Sequence, residues 1–531
     1  MTRRDIDRPD IQAFAYTAFG SLTGAAYLLL RVVDAPAARR FLGALKVASV
    51  ADIQTEVGPA TLAEATQCAV TAAGLRALGV AESVVQRFDP QFVEGMAGDP
   101  NRPLRLGDIG ANAPDKWVWG VGQREPHVLV MLFAGPERID SLARETRGAA
   151  EGSGFSAIES LRTTDMGGVE PFGFVDGISQ PEFDWDHPRT PGTKADRAFT
   201  NRITLGEILL GYFNEYGFPA DSPRLAPDDP NAALLKPAAG DAERRDLGRN
   251  GSYLVFRQLA QDIRGFWRWV AEEAKRAGAD PQAFAEAMIG RRMSGAPLPD
   301  FETDLALRGV DPGDRDVNGF LFDADPNGLS CPIGAHIRRA NPRTGDVPPG
   351  VDGAIDNLLA TLGLTTRRQR DPTSSTLPWE KNTTVWPYLR HEDDAIASAR
   401  FHRILRRGRE YGAKLDRAEA LDPATPDPGA GLQFICLNAN IARQFEFVQG
   451  AWLASAKFAG LTGEQDPLVG NREPFPTPPV SATPQRTDSF TRPGAEPACR
   501  RATGVPQFIT VKGGAYFFMP GLQALKWIAS L

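Results

Sequence analysis

HVLVMLFAGPERIDSLARETRGAAEGSGFSAIESLRT, residues 127–163, changes its hydrophobic period twice. HVLVMLFAG (127–135) is an unbroken apolar run of buried-strand length. PERIDSLARETRGAA (136–150) has apolar residues at helical spacing, and GFSAIESLRT (154–163) returns to a strand pattern. A strand, a helix and a strand in direct succession exclude an all-α or all-β chain. The same order stands upstream. The apolar stretch ending in YLLLRVVD (27–34) predicts a strand over 26–33, and DAPAARRFLGAL (34–45) a helix with Asp34 as its N-cap.

The second half repeats the theme. GSYLVFRQL (251–259) is strand-like, QDIRGFWRWVAEEAKRAG (261–278) helical, GLQFICLNAN (431–440) strand-like and ANIARQFEFVQGAWLASA (439–456) helical. QFITVKGGAYFFMP (507–520) reads as two strands joined through Gly513 and Gly514, and GLQALKWIAS (521–530) as a closing helix. Pro-, Gly- and Asp-rich stretches at about 182–250, 294–330, 343–398 and 464–505 read as long loops and insertions. The pattern predicts an α+β protein with two similar halves and leaves the strand order open.

With 531 residues the chain is long enough for more than one domain-sized unit and for burial of a large cofactor. It is 42% hydrophobic and 24% charged with a net charge of −7, which argues against a nucleic-acid partner. The opening MTRRDIDRPD carries an Arg pair but no apolar h-region follows, and the stretch Ala25–Val33 is too short to span a bilayer. No membrane partner and a cytoplasmic location are therefore expected. Cys68, Cys331, Cys436 and Cys499 form no CxxC pair and no CxxCH haem attachment, and are expected to be reduced thiols of core and loops.

Chemistry concentrates in three segments. The chain has five histidines: His127 in a strand-like run, His187 in a Pro- and Asp-rich loop, His391 beside Glu392, His402 at the edge of an arginine run, and His336. His336 stands apart. It lies in SCPIGAHIRRANPR, where Gly334 and Ala335 allow a flat ligand to approach and Arg338, Arg339 and Arg343 suit carboxylates, although a basic helix start reads the same way. In PFGFVDGISQP (171–181), Asp176 is framed by Gly173, Gly177 and apolar neighbours. Such a carboxylate is costly unless partnered or functional, but Asp-Gly is also a common turn. RILRRGREYG (403–412) carries Arg403, Arg406, Arg407 and Arg409, most of which are expected at the surface.

Taken together, the three segments resemble the dye-decolorising (DyP-type) haem peroxidases, in particular their longer-chain members. Gly173, Phe174, Val175, Asp176 and Gly177 match the family's distal motif, CPIGAHIRRANPR its proximal-histidine segment and LRRGREYG its distal-arginine segment, in the same order. Further likeness runs from DIQAFAYTAFG through FICLNANIARQFEFVQ to FITVKGGAYFFMPGL, so it covers most of the chain.

The resemblance implies two ferredoxin-like halves with antiparallel sheets: 1–240 carrying the GFVDG loop, and 241–531 carrying the proximal histidine and haem pocket. It implies one non-covalent haem b per chain with His336 as iron ligand, Asp176 and Arg406 as catalytic pair, and haem contacts from Gly177, Ile178, Gln180, Arg339 and Arg406. Arg407 is the neighbour that could be confused with Arg406. A carboxylate is expected behind the proximal histidine, with Glu446 the guess.

The implied reaction is reduction of hydrogen peroxide through a ferryl intermediate, with oxidation of bulky organic donors such as dyes and phenolics. Asp176 would move the proton and Arg406 stabilise the charge. Trp379, Trp386 and Tyr388 of the insert at about 344–398 are candidate electron relays, though loop aromatics more often pack. A homo-oligomer is possible. The alternatives left open are a haem-iron-releasing or peroxide-dismuting protein and a haem-binding or storage protein, the latter having no use for a distal acid and cation. A third is a structural ferredoxin-like protein with no cofactor.

Overall fold

The computed structural model describes residues 6–55, 58–185, 201–299, 318–322, 325–343, 399–427, 429–473, 486–493 and 499–531. Its frame is one antiparallel sheet. The first half supplies β1 (Gly24–Val32), β2 (Glu64–Val70), β3 (Val128–Ala134) and β4 (Phe155–Arg162), in spatial order β2-β3-β1-β4. The second supplies β5 (Ser252–Gln261), β6 (Leu405–Arg406), β7 (Arg409–Tyr411), β8 (Gly431–Asn438) and β9 (Ile509–Met519), with β6 and β7 on β8, then β5, then β9. Each half thus has the ferredoxin-like order, its first strand between its third and fourth. The halves meet edge to edge where β9 pairs with β2 at Phe518↔Val70.

Burial explains the opening stretch. Every residue of β3 is buried, because the strand lies between β2 and β1 and is covered on both faces, which is why it reads as a continuous apolar run. Leu28, Leu30, Val130, Val255 and Phe518 pack on one face with helices α1 (Ala35–Ala44) and α2 (Ile139–Glu151). Tyr27, Leu29, Leu129, Phe256 and Phe517 form the core of the other. The α1 N-cap is Asp34, whose side chain accepts the Ala37 N–H at 3.1 Å.

Two expectations change. QFITVKGGAYFFMP is the single strand β9, not a hairpin. Its register on β5 slips between Gln258↔Gly513 and Leu259↔Val511, so Lys512 is an extra, bulged residue. Gly513 is needed for packing, since a Cβ there would lie 2.6 Å from the Trp119 indole. The helix expected over 439–456 is wound as two π-helical segments, Ala442–Glu446 and Val448–Leu453. The thiols of Cys68, Cys331 and Cys436 are buried, that of Cys499 is exposed, and all four are free. Among the described residues no helix is long and apolar enough to cross a membrane.

Candidate active site

A cavity of about 250 Å³ opens on one face of the second half's sheet. Alternation along the strands builds its floor: Arg257, Leu259 and Gln261 from β5, Leu432 and Phe434 from β8, Ile509 and Val511 from β9. The facing wall is the helix α3 (His336–Ala340) with Val448, Gln449 and Leu453 of the π-helical segments. The loop carrying Phe172 to Ser179 closes one end.

His336 is the first residue of α3, and its Nδ1 lies 3.0 Å from Asp466 Oδ2. Asp466 is fully buried, and its other oxygen accepts the backbone N–H groups of Leu468 and Val469, both at 2.9 Å. Burial opposes ionisation of Asp466, but its contact with His336 and the Val469 N–H more than offset this, so its pKa lies below the ordinary value. Burial likewise pushes His336 down, and Asp466 outweighs it, leaving His336 raised. With Nδ1 committed to a carboxylate, Nε2 is the nitrogen left for a ligand in the cavity, which His336 lines.

Asp176 and Arg406 line the same cavity. The Asp176 Oδ1 accepts from Arg406 Nη1 at 2.8 Å and from the Gly177 backbone N–H at 2.6 Å. Gly177 has φ +82° and Gly173 φ +99°, a backbone that favours glycine and that aims the carboxylate inward. Burial works against the Asp176 carboxylate, and the Arg406 charge and the Gly177 N–H prevail, so its pKa is lowered. His336, Asp176 and Arg406 expose 28%, 31% and 28% of their side chains, and all three line the cavity.

The strand register settles which arginine faces inward. Arg406 lies on β6 opposite Cys436, while Arg407 turns to the other side and donates to the carbonyls of Phe14 (3.0 Å), Ala15 (3.4 Å) and Tyr16 (3.1 Å). Arg409 binds the carbonyls of Ala18, Phe19, Leu22 and Thr23, and buried Arg403 donates to Asn201 Oδ1 at 2.6 Å. The expectation of a mostly surface run is therefore corrected. None of the four is exposed, because backbone carbonyls for Arg407 and Arg409, an amide for Arg403 and the Asp176 carboxylate for Arg406 accept from their guanidinium groups.

Ile178 lines the cavity, whereas Gly177 and Gln180 act through the polar pair: the Gln180 Oε1 accepts the Arg406 backbone N–H at 3.0 Å. Arg339 is not a cavity residue. It is fully buried and spends its N–H groups on the carbonyls of Trp452, Ser455 and Glu464. Arg343 does line the cavity, and Arg338 is held by Asp325 and the Cys331 carbonyl. Glu446 is not the proximal carboxylate. It pairs with Arg102 (2.8 Å) and Tyr516 (2.9 Å), and the carboxylate on His336 Nδ1 is that of Asp466. His127 is a structural histidine whose Nδ1 accepts the Val32 N–H. His402 borders the cavity with Nδ1 on the Arg443 carbonyl and its ring stacked 3.6 Å from Phe447. His187, His391, Trp379, Trp386 and Tyr388 lie outside the described residues.

Among the described residues no group of three or more His, Cys, Asp or Glu side chains could hold a metal ion. His336, with its Nδ1 held by a carboxylate and its ring on a largely apolar cavity, fits a metal that brings its own equatorial ligands, as iron in a porphyrin does. Arg291, Arg343 and Arg403 on the cavity lining suit the carboxylates such a group carries.

No family model matches the chain. It is 28% identical over 516 residues to the multifunctional dye peroxidase DyP2 of an Amycolatopsis strain, covering 94% of this chain and 91% of the relative. It is 26% identical over 486 residues to the dye-decolorizing peroxidase msp1 of Mycetinis scorodonius, covering 88% and 77%. Among solved structures it resembles a DyP-type peroxidase of Auricularia auricula-judae (TM-score 0.67, 22% identity, 99% and 100% covered). The Anabaena sp. DyP-type peroxidase is similar (TM-score 0.65, 21%, 98% and 94%).

Proposed function

We propose that the chain is a peroxidase of the dye-decolorising (DyP) type that reduces hydrogen peroxide and oxidises bulky organic donors with one haem b held on His336. The observation that carries this reading is the arrangement around one apolar cavity. His336 has its Nδ1 fixed by Asp466, and the Asp176–Arg406 pair lines the same space. Haem bound there would supply the two-electron redox chemistry.

The chain's own residues do the rest. Asp466 keeps the His336 proton on Nδ1 and makes Nε2 a stronger electron-pair donor. Asp176, ionised, takes the proton from the inner oxygen of peroxide and returns it to the outer one, from which water leaves. Arg406 already points at Asp176 and stabilises the negative charge that develops as the O–O bond breaks, without reorganising. Leu259, Leu432 and Phe434 exclude water and strengthen both effects. Ile178 would touch the cofactor, and Gly177 and Gln180 would set the catalytic pair.

In this reading the first half, 1–240, brings the Asp176 loop and the second, 241–531, the pocket. The free thiols favour a cytoplasmic location, and no nucleic-acid partner is invoked. The test is turnover of a dye or phenol with peroxide by the haem-loaded protein. Asp176→Asn and Arg406→Leu should each lose about 10²-fold or more in rate while keeping bound haem. Unchanged rates in both variants would overturn the assignment.

A further inference from the structure

Reduction of one peroxide to two waters breaks the O–O bond, takes two electrons from the organic donor and requires two protons from outside. Asp176 cannot supply them: it returns to peroxide the proton it borrowed. Resting on the peroxidase reading, we propose that Glu170 is the proton-holding residue of the distal wall, releasing protons from its carboxyl group directly into the cavity that Asp176 serves.

Three observations support this. Glu170 and Gln261 both line the cavity and touch where its floor meets the Asp176 loop. The Glu170 carboxyl is built into that loop, accepting the N–H groups of Phe172 and Phe174, each at 3.0 Å, while its backbone pairs with Phe174 and Gly173. The third partner is Gln261 Nε2 at 2.9 Å, which leaves Gln261 Oε1 buried without a partner among the described residues. A half-turn of that amide exchanges its oxygen and nitrogen. The oxygen then accepts an O–H from protonated Glu170, and Nε2 takes the oxygen's former place, so the one amide can serve either protonation state of Glu170.

The charges around the two carboxyls separate their states. Burial is the largest influence on Glu170 and raises its pKa to about 7, against three N–H donors that lower it, with Asp176 adding a smaller push upward. Asp176 is held ionised by Arg406 and the Gly177 N–H. Glu410 is near enough to Asp176 and Asp165 to feel both charges, and the other charged or titratable groups on the cavity are Asp108, Arg257, Arg291, His336, Arg343, His402, Arg403 and Arg406. At acid pH one carboxyl therefore carries a proton beside one that does not, the division of labour of an acid and a base.

The test uses the haem-loaded enzyme and Glu170→Gln, which keeps the size and neutrality of protonated Glu170 but has no proton to release. In the wild type, infrared difference spectra between about pH 5 and about pH 9 should show a protonated-carboxyl C=O band that titrates near 7. The band should be missing in Glu170→Gln and should persist in Asp176→Asn. Turnover of peroxide with a phenol should fall at least about tenfold in Glu170→Gln. The decline in wild-type rate as pH rises through about 7 should vanish in the variant. Absence of the band from the wild type overturns the proposal without any variant, as does a variant that keeps both the band and the alkaline decline. A wild type that shows the band but turns over no peroxide would instead refute the peroxidase reading and leave the proton-holding group in place.

Discussion

Asp466→Asn separates the two jobs of the buried carboxylate behind His336. One oxygen accepts the backbone N–H groups of Leu468 and Val469 at 2.9 Å; the other meets His336 Nδ1 at 3.0 Å. In the variant those two N–H donors hold the amide oxygen on their side, so the amide nitrogen faces His336. An N–H donor against Nδ1 forces that nitrogen to accept and moves the imidazole proton to Nε2, the atom needed for iron. Loss of such a partner costs about 10- to 100-fold in metal affinity or activity, or about 1.4 to 2.8 kcal/mol. Haem titrated into the apoprotein should bind more weakly by that factor, and the ferric/ferrous potential should rise. The apoprotein's thermal midpoint should move little, because the Leu468 and Val469 N–H groups keep their acceptor; Asp466→Ala, which strands both, should lose about 1–3 kcal/mol for each. Wild-type haem affinity and potential in Asp466→Asn would refute the reasoning.

Arg407→Ala should leave peroxide turnover intact and lower stability by about 1–3 kcal/mol, since its guanidinium holds the carbonyls of Phe14, Ala15 and Tyr16 and not the cavity; a melt with parallel kinetics checks this. The Asp176 pKa is depressed, so its working ionised form is present above the ordinary carboxylate value of about 3.9 and persists below it. The peroxide-dependent rate should hold into acid and fall only as pH drops through the depressed value; a fall beginning above about 5 contradicts this. Glu170, raised to about 7 from 4.5, contributes stability that is complete below 4.5 and is lost as pH rises through about 7. Glu170→Gln should therefore flatten the alkaline decline in thermal midpoint. Gly290→Ala places a Cβ 2.5 Å from Ile337 Cγ1 at φ +97° and should weaken haem retention by displacing the helix that begins at His336.

The sequence displayed what depends on periodicity and short motifs. The strand β3 and helix α2 were legible because complete burial and helical spacing are written in consecutive residues, and Asp176, His336 and Arg406 because each sits in a compact motif. What depends on distant pairing was not. Asp466 lies 130 residues from His336 and nothing in GEQDPL marks it; only the fold brings them together. Glu446 was the guess from sequence, and in the fold Arg102 and Tyr516 claim it. Gly513–Gly514 looked like a turn, because sequence does not distinguish a glycine that bends a chain from one that makes room for Trp119. The arginine run looked solvated because its partners are distant in sequence: Asn201 for Arg403, Asp176 for Arg406, and backbone carbonyls from the first residues of the chain for Arg407 and Arg409.

The most direct test of the account is the visible spectrum of the haem-loaded protein before and after peroxide, beside His336→Ala. The haem Soret band should shift on adding peroxide and return when a dye or phenol is supplied, and it should be lost or weakened in the variant. A protein that takes up no haem, or a variant whose spectrum and peroxide response match the wild type, would contradict it.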